Sequence, residues 1–135
     1  MKNLKKISKQ ELILQQAPCC AAGDIVLLNL DPTLGSEMRK SRPCLILEAG
    51  LSPLSLVIVL PITEAAGKLG VQLFVPIVDL KQGGLSKPSV IDCYQIRTVT
   101  TQRICKILGK VNEFVLFEVK KRLALVLEIN EEHLV

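Results

Sequence analysis

Residues 36–42, Ser36-Glu37-Met38-Arg39-Lys40-Ser41-Arg42, bring three cations, a carboxylate and two hydroxyls into one short stretch. Apolar runs flank it at 25–30 and 43–47; Asp31-Pro32 closes the first and Arg42-Pro43 opens the second. A proline fixes the backbone beside Arg42, so this cation stands where a polar loop meets a strand. A guanidinium held there has few rotamers to lose and presents a planar fork suited to phosphate oxygens. The same residues also fit a structural use, with Arg42 paired to Glu37 or Asp31. A second cluster spans 97–110, where Arg97, Arg103, Lys106 and Lys110 occur without a single acid. Just before it, Tyr94 and Gln95 join an aromatic face to an amide, groups able to stack on a splayed base and to read a base edge.

Much chemistry is excluded by what is missing. One histidine, at position 133, leaves no His pair for acid–base work and no Ser-His-Asp set. The five cysteines, Cys19, Cys20, Cys44, Cys93 and Cys105, form no Cys-x-x-Cys pair, so no zinc spacing can be assembled and no metal or other cofactor is expected. Cys44, Cys93 and Cys105 read as small core hydrophobes in a reducing compartment. Gly83-Gly84-Leu85-Ser86-Lys87 lacks the spacing of a phosphate-cradling loop and reads as a plain hairpin turn. The net charge of +4 is misleading, because Lys2, Lys5, Lys6 and Lys9 carry it. Residues 11–135 hold 13 basic and 13 acidic side chains. Bulk charge therefore makes no case for nucleic acid, and local clusters must make it. The longest apolar run, 51–62, is broken by Pro53 and two serines and is too short to span a bilayer. The basic N-terminus is followed by only Leu12-Ile13-Leu14, too little for a signal peptide, and a cytoplasmic location is expected.

The elements that must position these groups are mostly strands. Runs rich in Val, Ile and Leu lie at 24–30, 43–49, 55–62, 71–78, 89–92 and 94–99, with another at 103–111, and turn residues such as Asp31-Pro32, Gly50 and Gly83-Gly84 separate them. Short strands at this spacing predict a strongly curved sheet or small barrel. Ser8 can cap a short helix over 9–16, within an N-terminal basic extension assigned to 1–21; the folded domain is assigned to 22–135. Asn112 can cap a helix from 113 to about 129, in which Leu116, Val119, Leu123 and Val126 recur at helical spacing. Val115, Leu125 and Leu127 widen its apolar face enough to want burial on two sides. The second side suits another copy of the chain; the N-terminal extension is the rival cover.

The stretch 23–47 resembles the signature of the MazF/PemK family of toxin endoribonucleases, G-D-(apolar)₃ … D-P-x-x-G-S-E … R-P-(apolar)₄. Cys93-Tyr94-Gln95-Ile96-Arg97-Thr98 and Arg103 are similar to a second family run, and together the likeness covers roughly 22–130. The fold it implies is a β-rich α+β domain, a small SH3-like barrel of antiparallel strands with a C-terminal helix, forming a homodimer. It implies catalytic roles for Arg42 and Thr63, which would hold the scissile phosphate between them. Glu37 would accept the 2′-OH proton, or else bind a base or hold Arg42. Ser36, Arg39, Lys40, Tyr94, Gln95 and Arg97 would contact RNA. For Arg97 and Arg103 a cross-strand stabilising role fits the residues equally well. Leu27, Leu28 and Leu30 stand where many members carry an aromatic, Tyr94 replaces a frequent acid, and Ser41 replaces a histidine found in some members.

Such a set needs no metal, because the nucleophile in this chemistry is the substrate's own 2′-OH. The implied activity is a sequence-selective cut in single-stranded mRNA that leaves a 2′,3′-cyclic phosphate and a 5′-hydroxyl. The implied partner is an antitoxin whose acidic, flexible tail would cover the 39–42 cations. Two other readings share the fold. One is a catalytically silent protein that only binds antitoxin or nucleic acid. The other is a gyrase-poisoning toxin, which would need a C-terminal aromatic where this chain ends Glu132-His133-Leu134-Val135.

Overall fold

The computed structural model describes residues 20–29, 41–130 and 132. The expected helix over 9–16 lies outside them, as do Ser36, Glu37, Arg39 and Lys40. Seven strands follow in order: β1 Asp24–Asn29, β2 Ser41–Ala49, β3 Leu56–Glu64, β4 Phe74–Ile77, β5 Ser89–Asp92, β6 Arg97–Thr100 and β7 Ile104–Lys110. A one-turn helix α1 (Leu80–Gly83) joins β4 to β5, a 3₁₀ turn (Thr101–Arg103) joins β6 to β7, and α2 (Glu113–Val126) follows β7.

All pairings are antiparallel, and the sheet runs β4-β5-β3-β2-β1-β7, with β6 also pairing β3. The long strand β3 carries β6 along its first half and β5 along its second. Register shifts within β1–β7 and β2–β3 add local bend. Among the described residues no further pairing joins the ends of the path, so the sheet is barrel-like without being shut.

Alternation along the strands sends neighbours to opposite faces. Ile25, Leu45, Leu60, Ile62 and Ile91 share one core with Val115, Val119 and Leu123 of α2. Val26, Leu28, Cys44, Ile46, Val57, Val59 and Val99 form the other. The helix starts where expected: Asn112 Oδ1 accepts from Val115 N–H at 2.9 Å. It ends earlier than 129, because Glu128 turns left-handed (φ 55°) and Ile129 N–H bonds back to Ala124 O at 2.9 Å. Phe114, Phe117, Leu125 and Leu127 of this segment remain exposed; of the residues read as widening the apolar face, Leu125 and Leu127 are uncovered, whereas Val115 is buried.

Three sequence expectations are corrected. The Gly83-Gly84 segment is not a plain hairpin turn: α1 is capped by Asp79, and Gly84 closes it at φ 71°. No side chain fits at Gly84, because a Cβ there would run into the backbone of Leu108 on β7. The strand expected at 94–99 begins only at Arg97, since Asp92 ties residues 94 and 95 into a turn. Cys105, expected in the core, is exposed on β7, an end strand of the sheet, whereas Cys44 and Cys93 are buried.

Candidate functional site

Arg42 and Thr63 come from adjacent strands. Cys44 pairs with Pro61 across β2–β3, and continuing that register by two residues sets Arg42 opposite Thr63. The two share the face of Cys44 and Val59, so their side chains project together where that face leaves its apolar core. They line one groove of about 250 Å³ with Ile62, Glu64, Ser86, Lys87 and Ser89. Arg42 is exposed, and among the described residues its side chain has no hydrogen bond or ion pair. Its free fork can therefore meet an oxyanion without first breaking a contact.

A cation field surrounds the groove. Burial pushes the Cys44 thiol up to about 11, while the charges of Arg97 and Arg42 pull it the other way. Both guanidinium groups thus act on the same buried thiol, from β6 and β2. Arg97 sits opposite Val59, on the face that carries Arg42 and Thr63. Arg103 differs: its Nη1 donates to Asn29 O at 3.1 Å, tying the 3₁₀ turn to the end of β1. That is the cross-strand role, and Arg97 shows no comparable bond among the described residues.

The far wall of the groove escaped the sequence reading. Ser86 and Lys87 reach it because Gly84 and Gly109 let α1 press onto β7. The loop is then pinned: Leu85 N–H bonds to Leu80 O at 2.9 Å, Ser89 Oγ to Lys87 O at 2.8 Å, and Ala65 N–H to Pro88 O at 3.0 Å. Lys87 Nζ stands 3.5 Å from Glu64 Oε1, both side chains largely exposed, so the pair is screened and opens readily. A lone Lys in a Gly-rich turn carries no such message in sequence; only the packing of α1 reveals it.

Tyr94, Gln95 and Arg97 are all exposed, on and just before β6. Val90 faces Thr63 across β3–β5, and Asp92, two residues on, shares that face. Asp92 holds the Tyr94–Gln95 turn, so these side chains start from the groove's side of the sheet. Among the described residues no group of His, Cys, Asp and Glu is arranged to hold a metal, and no helix is long and apolar enough to cross a membrane.

A sequence model described as "PemK-like, MazF-like toxin of type II toxin-antitoxin system" matches residues 21–127. The chain is 34% identical over 110 residues to the endoribonuclease MazF of Staphylococcus epidermidis, covering 80% of this chain and 91% of that protein. It is 31% identical over 86 residues to the endoribonuclease EndoA of Bacillus subtilis (strain 168), covering 61% and 72%. Among solved structures, a MazE–MazF complex from Deinococcus radiodurans matches with a TM-score of 0.67 at 23% identity, over 82% of this chain and 98% of that one. The Mycobacterium tuberculosis toxin MazF-mt6 matches with a TM-score of 0.63 at 26% identity, over 79% and 98%.

Proposed function

The chain belongs to the PemK/MazF family of type II toxin–antitoxin toxins, and from that premise we propose that it is a metal-independent, sequence-selective endoribonuclease acting on single-stranded mRNA in the cytoplasm. The observation that carries the reading is the pairing of Arg42 with Thr63 in one groove. In the reaction, the 2′-oxygen of one ribose attacks the adjacent phosphorus and the P–O5′ bond breaks. A 2′,3′-cyclic phosphate and a 5′-hydroxyl result. The 2′-OH proton must leave and the 5′-oxygen must gain one, so the reaction balances without water or a redox partner.

Arg42 holds the non-bridging oxygens as charge builds on the pentacoordinate phosphorus, and Thr63 Oγ1 donates to one of them. A preorganised donor of this kind is worth about 3–4 kcal/mol in the transition state. Arg42 offers hydrogen-bond donors and no acceptor, so it holds charge and does not take up the proton. Glu37 is the carboxylate the sequence offers, either to accept that proton or to bind a base or hold Arg42. Lys87 and Arg97 extend the positive field along the RNA backbone, while Tyr94 and Gln95 meet bases. Ser36, Arg39 and Lys40 belong to the same proposed substrate contact.

The exposed apolar face of α2 supports a homodimer, since four large side chains there have no cover within the described chain. The endoribonuclease relatives and the MazE–MazF complex support a cognate antitoxin as partner. The test is incubation of the purified, antitoxin-free protein with a long single-stranded RNA in EDTA. Cleavage with 5′-hydroxyl and cyclic phosphate ends is expected. Intact RNA with the folded protein would refute the enzyme and leave the silent binder.

A further inference from the structure

Asp92 and Ser89 are the buried polar side chains among the described residues: Asp92 is 7% exposed at the end of β5, where all four residues are buried. Burying a carboxyl group is costly unless its oxygens are hydrogen-bonded. Both are. Tyr94 N–H donates to Oδ1 at 2.9 Å, and Gln95 Nε2 donates to Oδ2 at 2.9 Å. The first bond closes a turn of the Asx type and explains why β5 stops there. The second satisfies the buried Oδ2 and in doing so fixes Gln95, an exposed residue whose own amide water could otherwise serve.

The second bond has a chemical consequence. A carboxylate offers acceptors only, so it must face the N–H side of the amide. The amide oxygen Oε1 is then turned away from Asp92 and left open as an acceptor. Gln95 lies next to Tyr94, which is 64% exposed and presents a free ring face. The segment leads into Arg97, whose charge acts on the same buried thiol as that of Arg42. A base stacked on Tyr94 would meet the fixed oxygen of Gln95 at its edge.

We propose that Asp92 is a positioning residue that locks Gln95 with its amide oxygen outward, so that one base position beside the cut is read through an exocyclic amino group and uracil is rejected there. The inference rests on the endoribonuclease reading and deepens it. Adenine and cytosine carry such a donor on the edge read; uracil presents a carbonyl at the equivalent place.

The test is end-mapping of cleavage in a randomised single-stranded RNA by the full chain. The proteins compared are wild type, Asp92→Asn, Gln95→Ala and the pair Asp92→Asn with Gln95→Glu. Wild type is expected to favour adenine or cytosine over uracil by about tenfold at one position. In Asp92→Asn the oxygen stays on Tyr94 N–H, so the new NH2 faces Gln95 and no longer holds its amide oxygen outward. Gln95 is then free to flip, and the preference is expected to fall below about threefold with unchanged thermal stability. The double variant reverses the inner bond: the amide introduced at position 92 donates to the carboxylate introduced at position 95. An oxygen is again left outward, and uracil rejection should return. Should Asp92→Asn fail to fold, Gln95→Ala alone decides, with loss of the preference expected. Unchanged base preference in Gln95→Ala, or in a folded Asp92→Asn, would overturn the inference while cleavage itself upholds the enzyme. Uncut RNA with wild type would overturn both.

Discussion

Leu45, Leu60, Ile62 and Ile91 point toward α2; Cys44, Val59 and Thr63, their neighbours on the same strands, point the other way. On the α2 side the apolar surface continues to the strand ends and is closed by Val115, Val119 and Leu123. On the other side it ends sooner, and Arg42, Thr63 and Arg97 occupy the positions beyond it. One alternating backbone thus supplies both a core and the polar rim proposed to act on RNA. The difference teaches where substitutions should act: on stability at the covered face, on turnover at the rim.

The largest expected effect tests the covered face. Leu60→Ala removes a fully buried side chain opposite Leu45 and should cost about 2–5 kcal/mol of stability. Denaturant unfolding measures the loss, and the folded fraction should cleave RNA at the wild-type rate. A selective fall in turnover with full stability would break the division between the faces.

A pH titration sharpens it next. The thiols of Cys44 and Cys93, one on each face, are both pushed by burial to about 11 from an ordinary 9.0. A raised folded-state value means the native protein holds protons that the unfolded chain releases. These contributions are therefore complete below pH 9, and stability falls as pH rises from there through 11. The loss should be of order 2 kcal/mol per thiol. Removing either thiol by substitution with Ala should flatten the pH dependence by about half, measured by unfolding from pH 7 to 11.

A smaller effect lies on the far wall of the groove. Lys87→Gln should weaken RNA binding a few-fold and reduce its logarithmic salt slope by about 0.7, the loss of one phosphate contact. Glu64→Gln frees Lys87 from its partner and should move affinity the other way. Binding by a cleavage-resistant RNA at several salt concentrations reads both. Equal slopes for all three proteins would remove Lys87 from the interface.

Much of this was legible in the residues. Val, Ile and Leu runs between turn residues marked the strands, because strand pairing and β-branched packing are local preferences that composition records. The helix start was legible because Asn112 caps it with its own side chain. The Arg42-Pro43 junction was legible for the same reason, being written in consecutive residues. What was not legible depends on contacts between distant segments. Ser86 and Lys87 enter the groove only because Gly84 packs against Leu108, and a sequence shows two glycines without showing that they meet. Cys105 looked like core until its strand proved to lie at the end of the sheet. The delayed start of β6 had a signal that was missed, an Asp two and three residues ahead of the groups it ties down.

The central claim is that Arg42 and Thr63 act as one unit on a single phosphate. A double-mutant cycle with Arg42→Ala and Thr63→Val, read by single-turnover cleavage of one RNA in EDTA, tests it most directly. Arg42→Ala is expected to lose about 10²–10³-fold in rate with melting unchanged, since its side chain is exposed. The double variant should be scarcely slower than Arg42→Ala alone. Losses that simply multiply, or wild-type cleavage by Arg42→Ala, would contradict the account.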